Sequence, residues 1–389
     1  MMILALLFLV IGLILVSLGT WLSPYIALKV YKSKKFKAKL EQFKETDNAR
    51  PENNFQNVSL DILIPAHKEF VSLPVSLNYF NNLNLSKPDF FTEIKTHVAL
   101  SNWEGEEAVQ ASSMASTVVS VSNPGKWFAL KELVYKSRAD WVALVDSGTI
   151  WSDNCLEVLA KYIKEQDVIV VNPTYSEQGR IQFSGKGLQH TIWKIESFIK
   201  NIENQCGGPI SLHGSTIIYK REYLIKALDK LGDVQWLNDD VVVPLMVRSL
   251  YPDKKIIYTS EIIALDQFPA SLDQSEVNRR KRLLLGNIQW VKAFFGYLCK
   301  DNQVLAFLAL RRVSRMVWAW WGIFLGLSLF SVAWSFNLHT SFAAVMVVGI
   351  LVAYTLKSTR RIMEAFWISL CTPFYYLRYK DINSETLWK

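Results

Sequence analysis

Residues 1–28 and residues 316–356 of this 389-residue chain contain no Asp, Glu, Lys or Arg. Roughly 20 apolar residues cross a bilayer as a helix, so both runs are long enough to span, and any polar domain must fit between them. A cleaved signal peptide carries positive charge ahead of its apolar run. Here Met1-Met2-Ile3 carries none, while Lys29, Lys32, Lys34, Lys35, Lys37 and Lys39 follow the run. Positive flanks stay on the cytoplasmic side, which points to an uncleaved anchor whose C-terminal flank is cytoplasmic. Asn337 and His339 interrupt the second run and predict a hairpin of about 316–336 and 341–356. Arg311, Arg312 and Arg315 precede it, and Lys357, Arg360 and Arg361 follow it. The expectation is a multi-pass protein of the cell membrane with its middle in the cytoplasm.

Half of the residues are hydrophobic and 20% are charged, which excludes a disordered or fibrous chain. The net charge of +8 raises nucleic acid as a partner. The clustered lysines, however, lie beside the apolar run, where anionic headgroups attract each basic residue by about 1 kcal/mol. Membrane lipids are therefore the expected partner, and nucleic acid is not. Cys155, Cys206, Cys299 and Cys371 show no CxxC or zinc spacing and read as reduced thiols. The expected organisation is an anchor over 1–28, a basic juxtamembrane segment and linker over 29–57, a cytoplasmic catalytic domain over 58–310, a transmembrane hairpin over 311–357 and an interfacial or cytoplasmic tail over 358–389.

Within 58–310, short apolar runs at Leu60–Pro65, Thr96–Leu100, Thr117–Val121, Trp141–Val145, Val168–Val171 and Ser215–Tyr219 read as strands. Stretches with helical spacing, such as Trp127–Ser137 and Cys155–Ile163, lie between several of them. Strands alternating with helices predict an α/β domain with a mainly parallel central sheet. Such sheets bind ligands beyond the carboxyl ends of their strands.

The polar residues at those positions are Pro65-Ala66-His67-Lys68-Glu69, Asp146-Ser147-Gly148, the Gly207-Gly208-Pro209 to His213-Gly214 stretch, and Asn238-Asp239-Asp240. Farther on lies the basic cluster Arg279-Arg280-Lys281-Arg282. An acid at a strand end can hold a divalent cation, which in turn holds phosphate oxygens. A carboxylate pair at a helix start can include a general base, and arginines suit a diphosphate. Together they describe displacement of a nucleotide diphosphate. The chain has no GxxxxGK[ST], GxGxxG or GxSxG sequence, so ATP hydrolysis, nicotinamide chemistry and serine hydrolysis lose their usual signatures.

From about Leu60 to Trp290 the order of these motifs resembles that of family 2 glycosyltransferases with the GT-A fold, the group that contains cellulose, chitin and hyaluronan synthases. ILIPAHKEF is similar to the family's opening strand and PxxNE loop, with Lys68 in place of Asn. Gly125-Lys126-Trp127-Phe128-Ala129-Leu130-Lys131 resembles GKxxALN, and Asp146-Ser147-Gly148 stands at the DxD position, with Gly148 replacing the second acid. Asn238-Asp239-Asp240 stands at the ED position, and Arg279 to Leu283 where processive members carry QxxRW, with Arg279 for Gln and Leu283 for Trp.

The resemblance implies an inverting transfer from a nucleotide-diphosphate sugar, UDP-linked by analogy, to a lipid-linked or saccharide acceptor in envelope or polysaccharide synthesis. It implies Asp240, with Asp239 beside it, as the catalytic acids. Pro65, Ala66, Glu69, Lys126, Asp146, Arg279 and Arg282 would bind the donor; Gly208, His213 and Gly214 would face the acceptor; and Asp146 would hold Mg²⁺ or Mn²⁺. The altered QxxRW favours addition of one or a few sugars. A processive synthase and a non-catalytic membrane scaffold remain as alternatives.

Overall fold

The computed structural model describes residues 2–47, 57–67, 69–101, 113–121, 125–177, 188–267, 274–341, 343–347 and 357–377. Its contacts divide the chain into two compact units, one of Val30–Ala270 and one of Met1–Lys29 with Ser271–Leu387.

In the first unit, apolar strand sequences assemble an eight-stranded sheet among the described residues. The strands are β1 (Val58–His67), β2 (Phe91–Ser101), β3 (Thr117–Ser120), β4 (Trp141–Val145), β5 (Thr149–Trp151), β6 (Val168–Glu177), β7 (Thr216–Lys220) and β8 (Lys255–Asp266). Their order is β3-β2-β1-β4-β7-β6-β8-β5. β1 pairs in parallel with β2 and β4, β2 with β3, and β6 with β8; β7 runs antiparallel to β4 and β6, and β5 to β8. The expected mainly parallel sheet is therefore present. Sequence reading missed β5, which has only three residues, and β8, whose apolar run is broken by Thr259-Ser260-Glu261.

Every residue of β4 is buried, as a strand covered on both faces requires. Leu60, Ile62 and Ile64 of β1 pack with Leu73, Leu77 and Phe80 of the Ser72–Leu85 helix, and with Leu156, Leu159 and Ile163 of the Cys155–Ile163 helix. Complete burial of such a side chain contributes about 1.5–3 kcal/mol. The alternate residues of β1 point to the other face. There Asp61 accepts from Ser137 Oγ at 2.6 Å and lies 3.1 Å from His97 Nε2. Burial raises the Asp61 carboxyl, but hydrogen bonds from His97 and Ser137 outweigh it and hold the group below its usual value. His97 thus faces a buried carboxylate within the sheet.

The described part of the second unit is helical. Met2–Ser17 continues through a π-helical turn, Leu18–Leu22, into Ser23–Tyr31. Gly12 allows close approach to Phe324 and Leu325 of the Trp318–Ser335 helix, and Phe8 meets Phe324 edge to face at 5.9 Å. Arg311 Nε donates to Thr20 O in the π-helical turn at 3.1 Å. Leu6–Tyr31 and Trp318–Ser335 are long and apolar enough to cross a bilayer, yet their most apolar stretches are only 17% and 11% buried. Part of the predicted return arm at 341–356 lies outside the described residues.

Candidate active site

Because β7 is antiparallel to its neighbours, its amino end lies beside the carboxyl end of β4, where Val145 pairs with Thr216. Asp146 N then donates to Ser215 O at 3.0 Å, which joins the loop after β4 to the loop before β7. Asp146-Ser147-Gly148 turns through a positive φ of 85° at Gly148. Two serines of the Ser72–Leu85 helix hold this turn. Ser76 Oγ accepts from Gly148 N at 2.9 Å, and Ser72 Oγ lies 2.8 Å from Ser147 Oγ. Sequence reading missed both serines, although their i, i+4 spacing at a helix start was a usable signal.

Lys126 opens the Lys126–Lys136 helix, and Asp239 and Asp240 open Asp239–Leu250. The Lys126 ammonium lies 2.6 Å from Asp146 Oδ1 and 3.6 Å from Asp239 Oδ2. Asp146 is 44% exposed, whereas Lys126 and Asp239 are 21% and 17% exposed, so the open member of the trio is the strand-end acid. A Cβ on Gly214 would stand 3.6 Å from Asp240 Cβ and 4.0 Å from Lys126 Nζ. Asp240 O accepts from Leu212 N at 3.0 Å, which fixes the 212–215 loop against the helix start. The structure therefore gathers Lys126, Asp146, Gly214, Asp239 and Asp240 in one place.

Pro65 and Ala66 lie near the end of β1, and Glu69 follows it. Glu69 Oε2 accepts from His67 N at 3.1 Å. Open to water on one side and crowded by protein elsewhere, the Glu69 carboxyl is pushed up to about 7 by burial. The His67 amide and the Lys126 charge oppose this rise, while the Asp146 charge adds to it. An unfolded glutamate ionises near its ordinary value of 4.5, so the folded state holds this proton to higher pH. The associated stability is present below about 4.5 and is lost as pH rises through about 7. Glu69→Gln is therefore expected to gain melting temperature relative to wild type between those pH values, with a constant offset above them. Parallel thermal melts across that range check this.

His213 adjoins Gly214 at the site. Burial, reinforced by the Lys200 charge and opposed by Glu196, drives its imidazole down to about 3, so it is neutral at physiological pH. Gly208 has φ of 111°, and a Cβ there would stand 2.1 Å from Ile256 O. Its place is a tight backbone approach to β8. Buried Arg248, also missed in the sequence, donates to the carbonyls of Cys206 and Gly208. Arg279 and Arg282 belong to the other unit, on the Gln274–Trp290 helix, and the Arg279 side chain lies outside the described residues.

Among the described residues no group of three or more His, Cys, Asp or Glu is gathered as a metal site. Gly148 brings no carboxylate, which leaves exposed Asp146 as the hard oxygen donor. That set fits a cation that takes few protein ligands and completes its shell with phosphate oxygens and water, as Mg²⁺ commonly does.

Residues 106–228 match the family model described as glycosyl transferase family 2. No curated protein sequence matches the chain. The fold is similar to that of the mannosyltransferase PcManGT from Pyrobaculum calidifontis, solved in complex with GDP-Man and Mn²⁺. The TM-score is 0.61 at 13% identity, over 95% of this chain and 99% of that one. Looser superpositions include glucosyl-3-phosphoglycerate synthase from Mycobacterium tuberculosis (TM-score 0.40, 15% identity, 60% of this chain and 80% of that one). Another is mannosyl-3-phosphoglycerate synthase from Rubrobacter xylanophilus (TM-score 0.41, 14% identity, 61% and 74%). Residues 106–228 thus match glycosyl transferase family 2 within a GT-A-like α/β fold, which supports glycosyltransferase as the enzyme class.

Proposed function

We propose that this glycosyltransferase is membrane-bound and inverting, and that it moves one sugar, or a few, from a nucleotide-diphosphate sugar to a saccharide or lipid-linked acceptor at the cytoplasmic membrane face. The observation that carries the reading is the Lys126 ammonium held between Asp146 and Asp239, with Asp240 next in the chain. A cation between a strand-end acid and a carboxylate pair suits the two halves of a displacement. One half must stabilise a leaving diphosphate, and the other must accept a proton from the incoming hydroxyl.

In this mechanism Lys126 neutralises charge that develops on the diphosphate, a type of stabilisation that is usually the largest catalytic contribution. Asp146 would hold Mg²⁺ or Mn²⁺, which supplies further positive charge to the phosphate oxygens when bound. Asp239, engaged by Lys126, keeps the ammonium in place. Asp240 takes the acceptor proton as the hydroxyl oxygen attacks the anomeric carbon. The bond from that carbon to the diphosphate oxygen breaks, the diphosphate leaves with the electron pair, and the configuration inverts. The apolar faces of Leu6–Tyr31 and Trp318–Ser335 that the protein leaves uncovered support the membrane location.

A donor panel tests the reading. Full-length protein in detergent, with Mn²⁺ or Mg²⁺, is given UDP-sugars and GDP-mannose with and without membrane lipid extract, and nucleotide release is measured. Release from one donor, enhanced by the extract, is the expected result; absence of both release and binding for every donor sinks the proposal. Lys126→Met removes a charge-assisted contact and is expected to weaken donor binding about 10- to 100-fold. Calorimetry with the active donor checks this.

A further inference from the structure

The sheet edge that carries Asp146 also carries a second group of side chains that the displacement does not use. Tyr175 lies near the carboxyl end of β6 and pairs with Ala264 of β8. Its hydroxyl donates to Asp266 Oδ2 at 3.1 Å. Its ring stacks on His213 with centroids 6.0 Å apart and planes 27° from parallel, and His213 in turn meets Tyr258 at 5.8 Å. Asn172 clamps the His213 backbone from both sides, receiving its N–H at 3.0 Å and donating to its carbonyl at 3.1 Å.

Two connections tie this group to the displacement site. Asp266 pairs with Thr149, and Gln267 N donates to Gly148 O at 3.0 Å, so Asp266 stands across from the Asp146 turn. On the other side His213 leads directly into Gly214, the residue against Asp240 and Lys126. The Tyr175, His213 and Asp266 group therefore borders both the loop of the diphosphate-side acid and the loop of the base.

A pyranose presents a flat face of C–H bonds and a rim of neutral hydroxyls. An aromatic ring held in place and a carboxylate at its edge match those two features, and the Tyr175–Asp266 bond fixes the ring before any ligand arrives. We infer that Tyr175 and Asp266 form a saccharide subsite that receives the acceptor sugar, an assignment that rests on the proposed glycosyl transfer and selects a sugar-bearing acceptor within it.

Saturation-transfer NMR on the full-length chain in detergent tests the subsite. The probes are UDP or GDP with Mg²⁺, and the methyl glycosides of glucose, mannose, galactose and N-acetylglucosamine. In wild type, at least one glycoside should receive saturation while nucleotide is bound. Asp266→Asn and Tyr175→Ala should each weaken that glycoside about tenfold or more and leave the nucleotide signal intact, which also certifies folding. Tyr175→Phe, which keeps the ring, should lose less. Wild-type protein that binds nucleotide but no glycoside overturns the subsite, as does glycoside binding unchanged in both Asp266→Asn and Tyr175→Ala. Loss of nucleotide binding in Asp266→Asn with glycoside binding retained also overturns it, because the carboxylate would then serve the donor. Absence of any nucleotide signal in wild type sinks the glycosyltransferase mechanism itself, a failure distinct from that of the subsite.

Discussion

Asp240→Asn is expected to lower sugar transfer about 10³-fold while leaving donor affinity within a factor of about two, since a positioned general base contributes roughly 10²–10⁴ to rate. The amide preserves the shape of the side chain and the Leu212 N to Asp240 O bond, which is made by the backbone. What it removes is the ability to accept a proton from the attacking hydroxyl. The loss should fall on kcat rather than KM, the pattern of an interaction used only in the transition state. Asp239→Asn should behave differently, because its oxygen lies 3.6 Å from the Lys126 ammonium. Weakening that contact frees Lys126 from one of its two acids, so donor affinity should change along with turnover. Steady-state kinetics on the active donor, with calorimetric donor binding, separate the two variants. Near-normal turnover by Asp240→Asn would transfer the base role to Asp239.

Much of this site was legible because strand ends are legible. LDILIP and WVALV are apolar runs too short for helices, and the polar residues that follow them had to lie at one edge of a parallel sheet. That reasoning led to Glu69 and Asp146, a helix start led to Asp239 and Asp240, and Lys126 came from the resemblance of Gly125–Lys131 to GKxxALN. The direction of a strand leaves no mark in its own residues, so the antiparallel setting of TIIYK, which brings Ser215 onto Asp146, could not be read. Tyr175 and Asp266 escaped for a related reason. The apolar signal of β6 stops at Val171, whereas pairing with β8 continues to Glu177. Arg248 stood unnoticed at the end of VVVPLMVRSL because a single cation on an apolar helix usually marks a solvated edge, and here it is buried and bound to two carbonyls.

Gly208→Ala is expected to prevent folding of the Val30–Ala270 unit, or to destabilise it by more than about 3 kcal/mol, through overpacking and backbone strain together. The added Cβ would stand 2.1 Å from Ile256 O and 2.6 Å from Ile256 Cβ, while φ at this position is 111°. Neither contact is with the far end of a flexible side chain. Relief would require moving β8 or the 206–208 turn, and the turn is held by Arg248 on two carbonyls and by Ile256 N on Gly207 O at 3.0 Å. Gly232→Ala supplies the comparison, with φ of 67° and nothing within 4 Å of the added Cβ. With ψ of −156° it sits in a region that only glycine adopts readily, so it should cost about 1–3 kcal/mol of backbone strain. Thermal melts and the yield of folded protein should therefore rank wild type, Gly232→Ala and Gly208→Ala in that order. A direct acceptor role for Gly208 requires the opposite pattern, in which Gly208→Ala melts like Gly232→Ala and loses only acceptor-dependent transfer. Misfolding of Gly208→Ala would assign the GGP turn to the support of β8, the strand that carries Asp266 to the edge of the active site.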